Sequence, residues 1–200
     1  TRVYICPVQN PVINEFSADT TSTDVEYVEI FGSPNSDYSA YTVLGLEGDA
    51  GSNVGRIDNV IPMGTTDANG LYLANLPANT IENGTISFLL VKNFTSSIGI
   101  DLDTNDDGDL EAAPWSEIAD TVSVYDGDVG DINYGLVVLT PNYDGLSAYA
   151  PGGASRIPNG VDTDTIDDWM RNDFDLAGLP GIPGTPEVGE ALNTPGAINQ

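Results

Sequence analysis

An all-β fold, two sheets packed as a β-sandwich, is what the sequence predicts, on three observations. Between Thr1 and Thr140 no stretch spaces its apolar residues at a helical period over ten or more positions. About nine or ten short segments rich in Val, Ile, Leu, Tyr and Phe recur there, separated by Gly, Pro, Asn and Asp. An apolar fraction of 40% over 200 residues supplies the core of one large β domain.

The elements follow in order. Val3-Tyr4-Ile5 lies before Pro7 and Pro11, so residues 1–10 are expected to form an N-terminal arm or edge strand. Residues 11–200 are expected to form a single domain. Its first strands are Val12–Phe16 and Val25–Phe31; in the second, Glu26 shares a face with Val28 and Ile30, and Glu29 points the other way. Tyr41–Leu46, Arg56–Ile61 and Leu71–Leu73 continue the series, the last after an Asn69-Gly70 turn. Thr85–Lys92 is the most apolar run and predicts a strand buried on both faces. Pro114–Ile118 predicts one helical turn, Thr121–Tyr125 and Ile132–Thr140 the last clear strands, and Thr163–Met170 a short helix. From Pro141 onward Gly and Pro become frequent, culminating in Leu179–Pro186, so residues 141–200 are expected to be irregular but packed.

The candidate site is the stretch Asp101–Glu111. Counted from Asp103, side-chain oxygens fall at Asp103, Asn105 and Asp107, with Gly108 next and apolar Leu110 two residues on. That is the first half of an EF-hand-type calcium loop: alternating oxygens wrap a hard cation, glycine permits the turn, and the apolar residue anchors it. Position twelve, which should be a bidentate glutamate, is Pro114. Further ligands are expected from Asp101, Asp109, Glu111 and Glu117, with Asp120, Asp126 and Asp128 as weaker candidates. Without a cation the aspartates would repel one another at roughly 1 kcal/mol per pair at 4 Å even in water. No Lys or Arg lies between Leu102 and Arg156 to relieve them. Ca2+ is therefore the expected cofactor.

Composition excludes several classes. The net charge of −26, from 31 acids against five Lys and Arg, repels phosphate backbones and anionic headgroups, so nucleic acid is not an expected partner. No stretch approaches the roughly 20 apolar residues of a membrane helix, so membrane insertion is not expected either. With no histidine, imidazole catalysis is absent. The single Cys6 forms no intrachain disulfide and is expected to be a small buried residue. There is no Gly-Xaa-Ser-Xaa-Gly elbow and no phosphate loop, and the chain is expected not to be an enzyme. Its start at Thr1, without Met or a signal region, predicts a processed mature protein or an excised fragment.

The segments Val12-Ile13-Asn14-Glu15-Phe16 and Val25-Glu26-Tyr27-Val28-Glu29-Ile30-Phe31 resemble the opening of bacterial lamin-tail domains. Gly153–Asp164, Trp169 and Asn193–Asn199 resemble their ending, and Asp101–Leu110 with Pro114-Trp115 is similar to inserts of secreted members. The resemblance spans about residues 11–200 and implies an immunoglobulin-like β-sandwich, secreted or at the cell surface and without activity of its own. The segment before Pro11 lies outside its pattern. Within the matched residues, Arg156 is expected to form a buried ion pair with Glu15 or Glu29, the alternative for those acids being a second cation site.

The function expected is a secreted, calcium-stabilised structural or adhesive module. Its partners would be copies of itself or a cell-surface or matrix component, with Val3, Tyr4 and Ile5 adding a strand to the next copy. The alternatives are a non-catalytic accessory module of a larger secreted nuclease or phosphatase, and a carbohydrate-binding module using Tyr38, Tyr41, Tyr143, Tyr149 and Trp169.

Overall fold

Among the described residues the alternation of apolar and polar residues resolves into ten strands. In this computed structural model, residues 9–51, 53–182 and 184–200 are described; Arg2, the assembly strand Val3, Tyr4 and Ile5, and Cys6 lie outside them. The strands are β1 (Val12–Ser17), β2 (Glu26–Phe31), β3 (Tyr41–Glu47), β4 (Ile57–Pro62), β5 (Leu71–Leu76), β6 (Ile86–Lys92), β7 (Glu117–Val124), β8 (Val137–Leu139), β9 (Gly153–Arg156) and β10 (Trp169–Arg171). They form two five-stranded sheets, ordered β10-β9-β1-β2-β5 and β4-β3-β6-β7-β8. All pairings are antiparallel except β7 with β8.

The two sheets enclose one apolar core. Ile13, Phe16, Val28, Ile30, Ala154 and Trp169 of the first meet Val43, Ile61, Phe88, Leu90, Val122 and Leu139 of the second. Ile13 and Phe16 are three apart yet both face inward, because a bulge at Asn14 inserts one residue into β1. Burial of β6 on both faces is confirmed: Phe88 and Leu90 enter the main core, while Leu89 and Val91 face outward. There they join Leu44, Leu46 and Ile57 beneath Phe94, Leu102, Leu110 and Trp115. The acidic loop and its flanks thus form a third layer over the second sheet.

The outer face of the first sheet is buried too, but with polar groups. Glu15 accepts from the Tyr27 hydroxyl, from Asn172 Nδ2 (3.0 Å) and from Thr194 through its amide (2.9 Å) and hydroxyl (3.0 Å). Glu29 accepts from Asn14 Nδ2 (2.9 Å) and the Gly196 amide (2.7 Å). Residues 193–199 close over both carboxylates, with Asn199 Nδ2 donating to the carbonyls of Asn14 and Arg156. This part of the tail packs on the first sheet, and its cover is made of hydrogen bonds.

Arg156 corrects an expectation. Fully buried, it pairs with neither Glu15 nor Glu29. Its guanidinium meets Asp120 of β7 at 3.0 Å, Asp162 at 3.0 Å and Asp168 at 3.3 Å, and Nε donates to the Ile13 carbonyl. It also lies over the Trp169 ring, 4.5 Å from the centroid. The physical reason is facing: Glu15 and Glu29 point to the outer side of the first sheet, whereas Arg156 reaches across the sandwich. Asp120 returns a bond to the Ile13 amide (2.8 Å), tying β7 to β1.

Three local expectations also change. Pro114–Ile118 makes no helical turn, because Ser116 donates to the Lys92 carbonyl and the chain pairs with β6 from Glu117. The strand expected over Ile132–Thr140 shrinks to Val137–Leu139. The amides of Tyr134, Gly135 and Leu136 donate instead to the hydroxyls of Ser87, Ser123 and Thr121. The helix expected over Thr163–Met170 is one 3-10 turn, Ile166–Asp168, since Trp169–Arg171 pairs with β9.

Two predictions follow from burial. Arg156→Met leaves Asp120 and Asp168 without their counter-charge and should lower the unfolding free energy by about 3–5 kcal/mol in urea. Arg56→Met, at the half-exposed pair with Asp58, should change it by less than about 1 kcal/mol. Burial also pushes Glu29 up from 4.5 to about 8, outweighing its hydrogen bonds. Because the folded state holds this proton more tightly, its stabilising contribution is complete below pH 4.5 and is lost as pH rises through about 8. The fall in melting temperature between pH 5 and 8.5 should therefore be smaller in Glu29→Gln than in the unaltered chain.

Candidate metal centre

The loop is built on Gly55 and Leu102. The Leu102 amide donates to the Gly55 carbonyl (3.0 Å), and its side chain is buried in the outer apolar layer. Gly55 has φ +76°, and a Cβ there would lie 2.5 Å from that of Asp103, so only glycine lets the loop approach β3 and β4 this closely. At the far end the Glu111 amide donates to the Leu102 carbonyl (2.8 Å), closing the turn. Gly108 adopts φ +92°, as its position in the motif requires.

Asp103 is the buried centre. It accepts from the Tyr134 hydroxyl (2.7 Å) and from the amides of Gly108 (2.9 Å) and Asp107 (3.2 Å). Burial raises its carboxyl, but these donors outweigh it and hold it below the ordinary carboxylate range. The same carboxylate raises the pKa of Tyr134, after burial of that hydroxyl. Oxygens of Asp103, Asp107 and Glu111 lie within 4.8 Å of one another. Counted from Asp103 these are positions one, five and nine. Asn105, at position three, turns its Oδ1 to the Asp107 amide (3.1 Å), and Glu111 also accepts from Thr104.

The other expected ligands are dispersed. Asp101 accepts from the Asp103 amide and supports the loop from behind; Asp109 is exposed at its rim, donating its amide to Asp107. Glu117 is on β7, paired with Lys92 (3.7 Å) and with Asn10. Asp120 is committed to Arg156, and burial pushes it up to about 6 against the pull of that guanidinium. Neither contributes to the loop: Glu117 is held by Lys92, opposite it on β6, and by Asn10, and Asp120 by Arg156.

Asp126 belongs to a second group. With Asp49 and Asp131 its oxygens lie within 4.8 Å of one another, and Asp49 is shared with a further set, Glu47 and Glu82. Thr85 Oγ1 bridges Asp131 (2.6 Å) and Asp126 (3.2 Å). Asp128 stands beside this group, its amide donating to Asp126. Burial first, and then Glu47, pushes Glu82 up to about 8; burial and the facing aspartates also raise Asp49. Sequence spacing missed Glu47, Asp49, Glu82 and Asp131: Glu47 and Asp49 are near neighbours, but Glu82 and the Asp126–Asp131 segment lie far from them in the chain. The signal available was register: β3, β6 and β7 are neighbours, and Glu47, Ile86 and Val124 align at one end.

The atoms brought together are carboxylate oxygens of Asp103, Asp107 and Glu111, a donor set of the kind a hard cation takes. Fold and site together define an all-β two-sheet sandwich with a carboxylate-lined loop. Comparisons with family models, with curated proteins and with solved structures returned no match to this chain.

Asp107→Asn gives a test with opposite signs. The amide keeps the bond from Asp109 but removes one of three crowded charges. In chelator the variant should melt at a higher temperature than the unaltered chain, and in millimolar calcium at a lower one, in paired thermal scans.

Proposed function

We propose that this chain is a secreted, calcium-stabilised structural or adhesive module, with Asp103, Asp107 and Glu111 at the heart of the cation site and Asn105 and the Asp109 main chain beside them. One observation carries the proposal: carboxylate oxygens of Asp103, Asp107 and Glu111 converge on a loop whose flanks, Leu102, Leu110 and Trp115, cover the outer face of the second sheet. A cation that fixes the loop also fixes that layer, so its binding energy becomes folding energy. Placement outside the cell, and an immunoglobulin-like topology, rest on the lamin-tail resemblance. No catalytic role is proposed.

Assembly from copies of the chain, or attachment to a matrix component, is the form of structural role favoured here. Of the four end strands, β4 is flanked by the Arg56–Asp101 bridge and β10 by the Asn172–Ala191 bridge. Among the described residues, β5 is the longest edge with no such neighbour, and strand addition there suits the proposal. The carbohydrate alternative loses most of its basis, because Tyr38, Tyr41 and Trp169 are core residues.

The decisive measurement is thermal unfolding with sedimentation in excess calcium and in excess chelator, at constant high sodium chloride. At a hundredfold excess over Kd the cation should contribute about 2.7 kcal/mol, so chelation should lower the melting temperature by roughly 5–10 °C. It should also dissolve large species into monomers. An unchanged melting temperature would refute the calcium role, and unchanged large species would refute calcium-dependent assembly.

A further inference from the structure

A cavity among the described residues shares no lining residue with the acidic loop. It occupies about 590 Å³ between the turn after β8 and the segment that follows β10. Its walls combine two features rarely found together on so charged a surface. Leu146, Tyr149 and Phe174 present apolar side chains that are 45%, 81% and 48% exposed. Among them stand five carboxylates, Asp19, Asp173, Asp175, Glu187 and Glu190. The one cation in the wall, Arg171, is committed elsewhere. Its Nε donates to Asp144 at 2.8 Å, NH2 donates to the Tyr149 carbonyl at 3.0 Å, and the side chain is almost wholly buried.

The rest of the described chain offers these acids no counter-charge. Arg56 is paired with Asp58, Lys92 with Glu117, and Arg156 with Asp120. Burial and neighbouring carboxylates raise both Asp19 and Glu190, Asp24 acting on the first and Asp173 and Glu187 on the second. The cavity also runs on. A second depression of about 270 Å³ shares Asp19, Tyr149, Ala150 and Gly152 with it and extends toward Asp126. Two adjoining depressions with shared walls suit an extended chain better than a compact small molecule.

We infer that this groove docks a peptide segment presenting a guanidinium or ammonium group beside an aromatic or aliphatic side chain. The cation lies against Glu187 and Glu190, where the local charge is uncompensated, and the apolar neighbour packs on Tyr149 and Phe174. Anionic and phosphorylated segments are repelled by the same carboxylates. The chemistry required exists within this chain itself, in the sequence Arg2-Val3-Tyr4-Ile5. The inference does not depend on calcium: the cavity that holds the proposed contacts shares no residue with the acidic groups at Asp103 or Asp49.

The test is a titration of the isotope-labelled full chain, at physiological salt, with acetyl-Arg-Val-Tyr-Ile-amide, followed by amide NMR shifts. The control probe carries citrulline in place of arginine, which keeps the shape and removes the charge. Tyr149→Ala and Glu187→Gln alter exposed side chains outside the core, so both variants keep the fold. Shifts confined to residues 146–149, 171–175 and 187–190 are expected, with the citrulline probe about tenfold weaker and each variant about threefold weaker. Equal affinity for both probes, shifts spread evenly over the acidic faces, or variants that bind as well as the unaltered chain would each overturn the inference. So would a neutral disaccharide that moves these resonances when the peptide does not.

Discussion

A single buried guanidinium joins the two halves of the sandwich. Arg156 belongs to the first sheet, yet it reaches Asp120 in the second and holds the Ile13 carbonyl on the way. A charge with no exposure to water is costly unless every donor finds a partner. Here carboxylates, main-chain carbonyls and the Trp169 face provide them, from segments spread between Ile13 and Trp169. Apolar packing alone would let the sheets slide over one another at modest cost; a multiply bonded guanidinium admits one alignment. The bulges at Asn14 and near Ala119 serve that alignment, since they present Ile13 and Asp120 where the guanidinium needs them.

Three physical states recur among the chain's 31 acids. Some are neutralised by a cationic side chain, as at Arg156 and Arg171. Others, Glu15 and Glu29, are buried among amide and hydroxyl donors and bind protons more tightly for it. A third set converges in groups, at Asp103 and at Asp49, where the field of one carboxylate acts on the next. Only the third state calls for a diffusible cation. The distinction is invisible in a composition that records all of them as the same charge.

What the sequence revealed was what short-range chemistry controls. The strands from Val12 to Lys92 lie close to where their alternation placed them, and the loop at Asp103 closes as its Asp, Asn and Gly spacing required. Failures came where distant partners decided the outcome. Ile132–Leu136 has the composition of a strand, but its amides go to Ser87, Ser123 and Thr121, residues whose hydroxyls no local pattern would nominate. Arg156 was recognised as buried and paired, yet its partner depended on which face of the sheet each acid occupied. The group around Asp49 needed strand register, which single-sequence patterns do not supply.

The closure of the first sheet has a consequence for the order in which the molecule can form. Glu15 and Glu29 emerge early in synthesis, but the amides of Thr194 and Gly196 that enclose them follow more than 160 positions later, as the separations of 179 and 167 residues record. Strands β9 and β10 arrive late as well, so the guanidinium that aligns the sheets is missing while β3, β4, β6 and β7 of the second sheet can already pair. Such long-range closure makes for slow folding, because the loop entropy must be overcome before the contacts form. The second sheet is therefore the natural nucleus, and the N-terminal strands wait for the C-terminal segment to complete their half of the molecule.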